Sequence, residues 1–326
     1  MTPLFSYPLY FFCFPCYNIP RAIKYLRKDN IIMKKNFIFA LSAVLIWSTT
    51  ASLVKLLLSD IPNIEAMAIS CGISTIFLLI FNIVTGKVNL MKSYSLKDYL
   101  IMAGLGFLGL FVYTVLYYFG IDNLTAQEAC VLNFLWPIML VVFSCIILKE
   151  KLTVMKAVAM LCSFGGIVVL SLGNGEIPQG NAALGILSCI GCATCYGLFC
   201  VLNKKYDHDQ GIAMMIMWGV TAVCSAILGP LTEEWVAVSW AELGGLAWLG
   251  IAINGIGYLI WAIALAGSEN TAKIANLAYL TPFLSIIVSA VFLKESLKMN
   301  ALIALVLIIG GILLQNVSLG KGKKKE

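Results

Sequence analysis

Asn133-Phe134-Leu135-Trp136-Pro137, running on to Leu148-Lys149-Glu150-Lys151-Leu152, is rewritten 145 residues later as Ala278-Tyr279-Leu280-Thr281-Pro282 and Leu293-Lys294-Glu295-Ser296-Leu297. Gly165-Gly166-Ile167 returns as Gly310-Gly311-Ile312, and Gly104 and Gly109 return as Gly250 and Gly255, one residue further out of step. Both copies lie in long apolar segments. Internal duplication in such a chain predicts two like bundles of helices with a solute site between them.

Composition supports the same class. The chain is 61% hydrophobic and 12% charged, with a mean hydropathy of +0.94; a soluble domain carries charge on roughly a quarter of its residues. So little charge cannot cover a water-facing surface. Apolar stretches near 20 residues recur, the length of helix that crosses about 30 Å of hydrocarbon, whereas the alternating ten-residue strands of a membrane barrel do not. Ten spans are expected, at 36–58, 64–85, 98–119, 124–148, 153–172, 181–203, 211–231, 241–263, 271–293 and 298–317. The expected fold is all-α and integral to the membrane, ten transmembrane helices in two five-helix halves, residues 33–173 and 174–320, with a basic tail at 321–326.

Charge orients it. With the N-terminus inside, 19 of the 22 Lys and Arg fall on the cytoplasmic side, Lys294 and Lys298 fall outside, and Lys55 lies within the first span. The outer loops carry Asp60, Asp122, Glu176, Glu233, Glu234 and Glu242 instead. This bias puts both termini in the cytoplasm. Five spans per half then place Lys149-Glu150 inside and its copy Lys294-Glu295 outside, so the halves form an inverted repeat. The net charge of +6 reads as this bias and not as a nucleic-acid surface.

Residues 1–32 differ. Pro3, Pro8, Pro15 and Pro20 break any helix and no cleavage site follows, whereas Met33-Lys34-Lys35-Asn36 before an apolar run reads as an ordinary start. The leader is expected to be over-extended or disordered, with an interfacial segment around Phe11, Phe12, Phe14 and Tyr17 as the alternative. Cys189-x-x-Cys192-x-x-Cys195, with Cys200 beyond, has a superficial likeness to an iron–sulfur run. It falls within the sixth span among small residues that let helices approach closely, so no metal is assigned. His208, the only histidine, sits between Asp207 and Asp209 in what reads as a solvated turn. No Walker loop, nucleophile elbow or metal-ligand pair is present, so neither an enzyme nor a cofactor is expected.

What remains suits the movement of a solute. Pro137 and Pro282 sit mid-span at matching positions, where proline removes a backbone hydrogen bond and kinks the helix; they are the hinge candidates. Gly104, Gly106 and Gly109 in span 3, with Gly244, Gly245, Gly250, Gly255 and Gly257 in span 8, serve close packing or sliding equally well. Aromatic residues with polar tips recur near the midplane: Trp47, Tyr113, Tyr117, Trp136, Tyr196, Tyr258, Trp261 and Tyr279. Such rings suit a cavity that holds an organic solute by stacking and hydrogen bonding. Asn133 and Asn254 are buried amides, open to substrate contact or interhelix bonding. Glu128, one turn into span 4, either complements the helix N-terminus or couples and gates transport by binding a proton or an ammonium.

The inverted five-plus-five arrangement and the Pro–x10–Leu-Lys-Glu pattern closing spans 4 and 9 resemble the drug/metabolite transporter superfamily, EamA type, over residues 33–320. Asn133 to Pro137, Trp47-Ser48-Thr49, Asn203-Lys204-Lys205-Tyr206, Tyr258-x-x-Trp261, Tyr279 to Pro282 and Glu128 resemble its bacterial aromatic amino acid exporter branch. That branch has a tryptophan in helix 6 where this chain has Cys195. The resemblance implies a secondary exporter of amino acids and related metabolites in the cell membrane, with a central cavity and alternating access. The Cys195 departure points to a smaller amino acid or a broader range. The expected partners are a small-molecule substrate and lipid; the sequence leaves oligomeric state, coupling and direction open.

Overall fold

The computed structural model describes residues 35–50, 52–53, 60–124, 126–171, 181–293 and 299–314. The leader, the tail, Lys55 and the Lys294-Glu295 copy lie outside them. Among the described residues the regular structure is helical throughout. The helices are α1 (Lys35–Trp47), α2 (Asn63–Val84), α3 (Leu96–Asn123), α4 in two pieces (Ala126–Asn133 and Trp136–Ile147) and α5 (Val154–Ser171). The second half supplies α6 (Ala182–Tyr206), α7 (Gln210–Thr232), α8 (Trp240–Ala266), α9 in pieces (Thr271–Ala275, a 3-10 turn Asn276–Tyr279, then Leu280–Leu293) and α10 (Met299–Leu314). Six of them, α2, α3, α4, α6, α7 and α8, are long and apolar enough to cross a bilayer.

Local chemistry sets the ends. Ser95 and Asp98 form a capping box that starts α3, and Ser239 and Glu242 form another that starts α8; each box satisfies two otherwise unpaired N–H groups. Asp209 accepts from Gly211 and Ile212 to cap α7. Outward faces carry bare apolar side chains, as with Ile76, Ile80 and Ile83 on α2 and Val223, Ile227 and Leu231 on α7, all more than half exposed. Water would oppose such faces and lipid accepts them.

Two helix pairs hold the bundle. On α5 and α10, a Cβ on Gly166 would crowd Ala304 and Ile308, and one on Gly311 would crowd Ala159 and Ser163. These contacts are reciprocal at the 145-residue offset, and the helices run antiparallel about the Ser163–Ile308 crossing, where the Ser163 hydroxyl donates to the Ile308 carbonyl at 3.4 Å. α2 and α7 also pack antiparallel. At one end Glu233 accepts from the N–H groups of Ile64 and Glu65; at the other the Asn82 amide donates to the Gly211 carbonyl at 2.9 Å, and Lys87 meets Asp209 at 2.7 Å.

α3 and α8 share an irregularity that no residue pattern announced. Each has a π-helical stretch, Phe107–Val112 and Leu249–Gly257, and each stretch is followed by a tyrosine, Tyr113 or its 145-residue counterpart Tyr258. The wider turn rotates the remainder of the helix about its axis and is a common device at functional sites.

The solvated turn expected at His208 is corrected. Its side chain is 6% exposed and its Nε2 lies 3.2 Å from Asp98, with Tyr94 edge-on at 5.5 Å and Tyr206 stacked at 6.2 Å. The left-handed Asp207 that ends α6 folds the loop back over α3. The cysteine run stays within the unbroken α6, where Cys189 packs against Gly120 of α3.

Candidate functional site

The helix breaks fall beside the prolines. α4 ends at Asn133, residues 134–135 form a turn, and Pro137 sits in the first turn of the second piece. There its missing N–H costs little, while the helix before it cannot run through. α9 repeats this with a 3-10 turn before Leu280, placing Pro282 in the first turn of its long piece.

Six of the expected aromatics meet as one cage. Tyr196 of α6 stands at its centre, 5.0 Å from Tyr113, 4.9 Å from Trp136 and 6.0 Å from Tyr258 between ring centroids. Trp261 lies 5.6 Å from Trp136 and 5.2 Å from Trp47, which in turn meets Tyr258 edge-on at 5.2 Å. Most of these pairs are edge-on or tilted, the arrangement favoured by ring quadrupoles and worth about 0.5–1.5 kcal/mol each. The members come from α1, α3 and α4 of the first half and α6 and α8 of the second.

Two rings that the sequence did not single out complete the cage. Phe199 lies 5.6 Å from Tyr196, and Trp218 of α7 lies 4.9 Å from Tyr258. Both occupy ordinary apolar-face positions, so periodicity alone could not separate them from packing. The Nε1 groups of Trp47 and Trp218 are buried without a hydrogen-bond partner. A buried donor left unpaired costs about 1–3 kcal/mol, and the Trp47 Nε1 lies close against α8 at Gly257.

The other candidates lie elsewhere or serve the frame. Asn133 donates to the Tyr113 hydroxyl at 3.3 Å and accepts from the Cys192 thiol at 3.5 Å, so it ties α4 to α3 and α6. Asn254 approaches Cys71 of α2 at 3.9 Å. Tyr117 packs in a separate cluster with Leu124, Ala129 and Cys189. Tyr279 is fully buried against Phe164 of α5, ring centroids 6.4 Å apart. The side chain of Glu128 lies outside the described residues.

Beneath the cage is a cavity of about 10 Å³ lined by Tyr196, Cys200, Asn203, Lys204, Tyr258 and Trp261, among others; that is room for about one water. A solute the size of an amino acid does not fit there. Lys204, which the sequence presented as part of the inner positive charge and of the Asn203–Tyr206 motif, lines this cavity. Its ammonium donates to Glu150 at 2.8 Å, to the Ser268 carbonyl at 2.6 Å and to the Thr271 hydroxyl at 2.9 Å. Glu150 also accepts from the Thr271 N–H at 3.0 Å and from its hydroxyl at 2.6 Å. Partial burial pushes the Glu150 carboxyl up, but the Lys204 and Thr271 bonds outweigh it and hold the group below the ordinary glutamate value. A single carboxylate therefore joins the end of α4, the end of α6 and the start of α9.

Comparison with known proteins fits this geometry. The model of the EamA-like transporter family matches twice, over residues 34–172 and 183–317. The uncharacterized transporter YvbV of Bacillus subtilis (strain 168) is 30% identical over 203 residues, covering 60% of this chain and 65% of that protein, a little under two thirds of its length. The aromatic amino acid exporter YddG of Ancylobacter novellus is 27% identical over 207 residues, 62% of this chain and 71% of that one. A solved crystal structure at 22% identity superposes with a TM-score of 0.77 over 86% of this chain and 97% of its own, a likeness of fold.

Proposed function

Because this chain belongs to the EamA-like transporter family and is a multi-pass protein of the cell membrane, we propose that it is a secondary transporter exporting aromatic or other neutral amino acids. In this reading, residues 33–173 and 174–320 are two inverted five-helix repeats with both termini in the cytoplasm, and the cage between them admits substrate from each face in turn. Residues 1–32 and 321–326 stand outside the repeats, and the chain is no enzyme and needs no cofactor.

The observation that carries the reading is the cage. Aromatic rings contributed by both family-matched halves surround Tyr196, a lining suited to an apolar side chain with a few polar groups. Support for inversion comes from the reciprocal antiparallel contact of α5 with α10. Support for amino acids comes from the exporter of that class among the relatives. The small volume of the cavity beneath the cage favours alternating access over a standing pore at that point, with the breaks at Pro137 and Pro282 as hinges.

Proteoliposomes loaded separately with labelled phenylalanine, alanine, threonine and glutamate test the assignment. Saturable efflux of at least one neutral amino acid is expected. Efflux of glutamate alone, or none above empty liposomes, refutes it.

A further inference from the structure

The Lys204 cluster does two things at once. Lys204 lines the cavity beneath the cage, and its ammonium pins together the α4–α5 loop, α6 and the α8–α9 loop through Glu150, Thr271 and Ser268. A lysine ammonium has three donors, and all three are in use. Two go to neutral oxygens and one to a carboxylate. The side chain is only 13% exposed, so losing its one anionic partner would leave a poorly solvated charge unpaired, which is costly.

We propose that Lys204 is the anchor for a substrate carboxylate, and that Glu150 occupies it as an internal stand-in until the substrate carboxylate displaces it. This rests on the amino-acid assignment and deepens it. The exchange replaces one carboxylate by another, so the two neutral bonds and the charge balance around Lys204 are kept. An amide or an amine offers no such replacement and leaves the lysine bonded to Glu150. Displacement frees Glu150, and with it the loop after α4, from α6, while the kept bonds to Ser268 and Thr271 hold the start of α9 on Lys204. Arrival of a carboxylate and opening of this end are therefore one event, and a ligand shifts such an equilibrium only by its preference for the open state. Selectivity for a free carboxylate and release of the gate come from the same atom.

The test is equilibrium binding to the purified full-length protein in nanodiscs, using phenylalanine, phenylalaninamide and 3-phenylpropionate. Removing the internal competitor with Glu150→Gln should tighten phenylalanine binding about tenfold, and Lys204→Gln should weaken it by tenfold or more. Opposite shifts from the two partners of one ion pair are the signature, because a merely structural bridge would move both the same way. Phenylalaninamide should bind weakly to all three proteins. Shifts of the same sign, or amide binding as tight as the acid, overturn the proposal. The swapped pair Glu150→Lys with Lys204→Glu keeps a bridge and should still fail to bind the carboxylate; recovery of binding would make the cluster structural only.

A substrate-free measurement separates this from the transport reading. Cys200 lines the same cavity, so its labelling by a membrane-impermeant maleimide, taken as the difference from Cys200→Ser, should rise in both single variants. Unchanged labelling overturns the latch whatever is transported. If phenylalanine binds none of the proteins, the amino-acid reading falls, and the anchor is decided by the same opposite shifts with 3-phenylpropionate; no carboxylate binding at all overturns it as well.

Discussion

The breaks in α4 and α9 descend from one motif and end on matching prolines, yet they deliver their aromatic residues to different places. At the first, a two-residue turn sends Trp136 into the cage, against Tyr196 and Trp261. At the second, a 3-10 turn leaves Tyr279 against Phe164 of α5, its hydroxyl buried and unpaired, with both amide atoms of Asn276 unpaired as well. The two rings stand at different repeat positions, Trp136 matching Thr281 and Tyr279 matching Phe134, and the 3-10 turn, with 3.0 residues per turn against 3.6 in an α-helix, advances the helix phase by about 80° more over its four residues. Duplication kept the backbone device and not the chemistry it presents. On the proposed reading, two hinges serve one recognition site, approached from the α4 side.

The strongest way to break this comparison is at the ring that joins Trp136 to Trp47. Trp261→Ala empties a site that is 2% exposed and should cost about 3–5 kcal/mol of stability, with loss of substrate binding beyond detection; thermal unfolding and ligand binding on the same sample read both. Next comes the pair Pro137→Ala and Pro282→Ala. Each allows its helix to close across the break, and each should lower flux about tenfold. Only Pro137→Ala should also change the ranking of substrates in competition assays, because only that break positions a cage ring.

Smaller effects sharpen the contrast. Tyr279→Phe removes a buried hydroxyl that has no partner, so it should be neutral or stabilising by up to about 1 kcal/mol in a thermal shift, with substrate ranking unchanged. The smallest concerns pH at the point where the two broken helices meet. The Glu150 carboxyl lies below its ordinary value, so its contribution is complete above the unfolded value of about 4.3 and fades as pH falls through the lower folded value. Cys200 labelling should be flat from pH 8 to 6, after correction for intrinsic thiol reactivity, and rise only under stronger acid.

The same contrast shows what could be read in advance. The 145-residue offset gave both breaks, because proline's missing N–H acts locally and needs no tertiary context. Trp47, Tyr113, Trp136, Tyr196, Tyr258 and Trp261 could be grouped because polar-tipped rings far from a bilayer surface are rare enough to stand out. The course of Tyr279 could not, since its direction depends on whether a short turn adopts 3-10 or α geometry. The π stretches before Tyr113 and Tyr258 were equally hidden, as glycine-rich helix permits them without requiring them. Lys204 was missed for a different reason: near the end of a helix, a lysine that snorkels and one that turns inward have the same sequence, and only the positions of Glu150 and Thr271 distinguish them. His208 obeys the same rule, buried by Asp98, Tyr94 and Tyr206 from 100 or more residues away in the case of Asp98 and Tyr94.

The central claim is that the cage around Tyr196, entered from the α4 side, is where substrate binds. Equilibrium binding of labelled phenylalanine to Trp136→Ala and to Tyr279→Phe, side by side in nanodiscs, tests it most directly. The account predicts a loss of tenfold or more for the first and less than a twofold change for the second; equal losses in both, or none in Trp136→Ala, would contradict it.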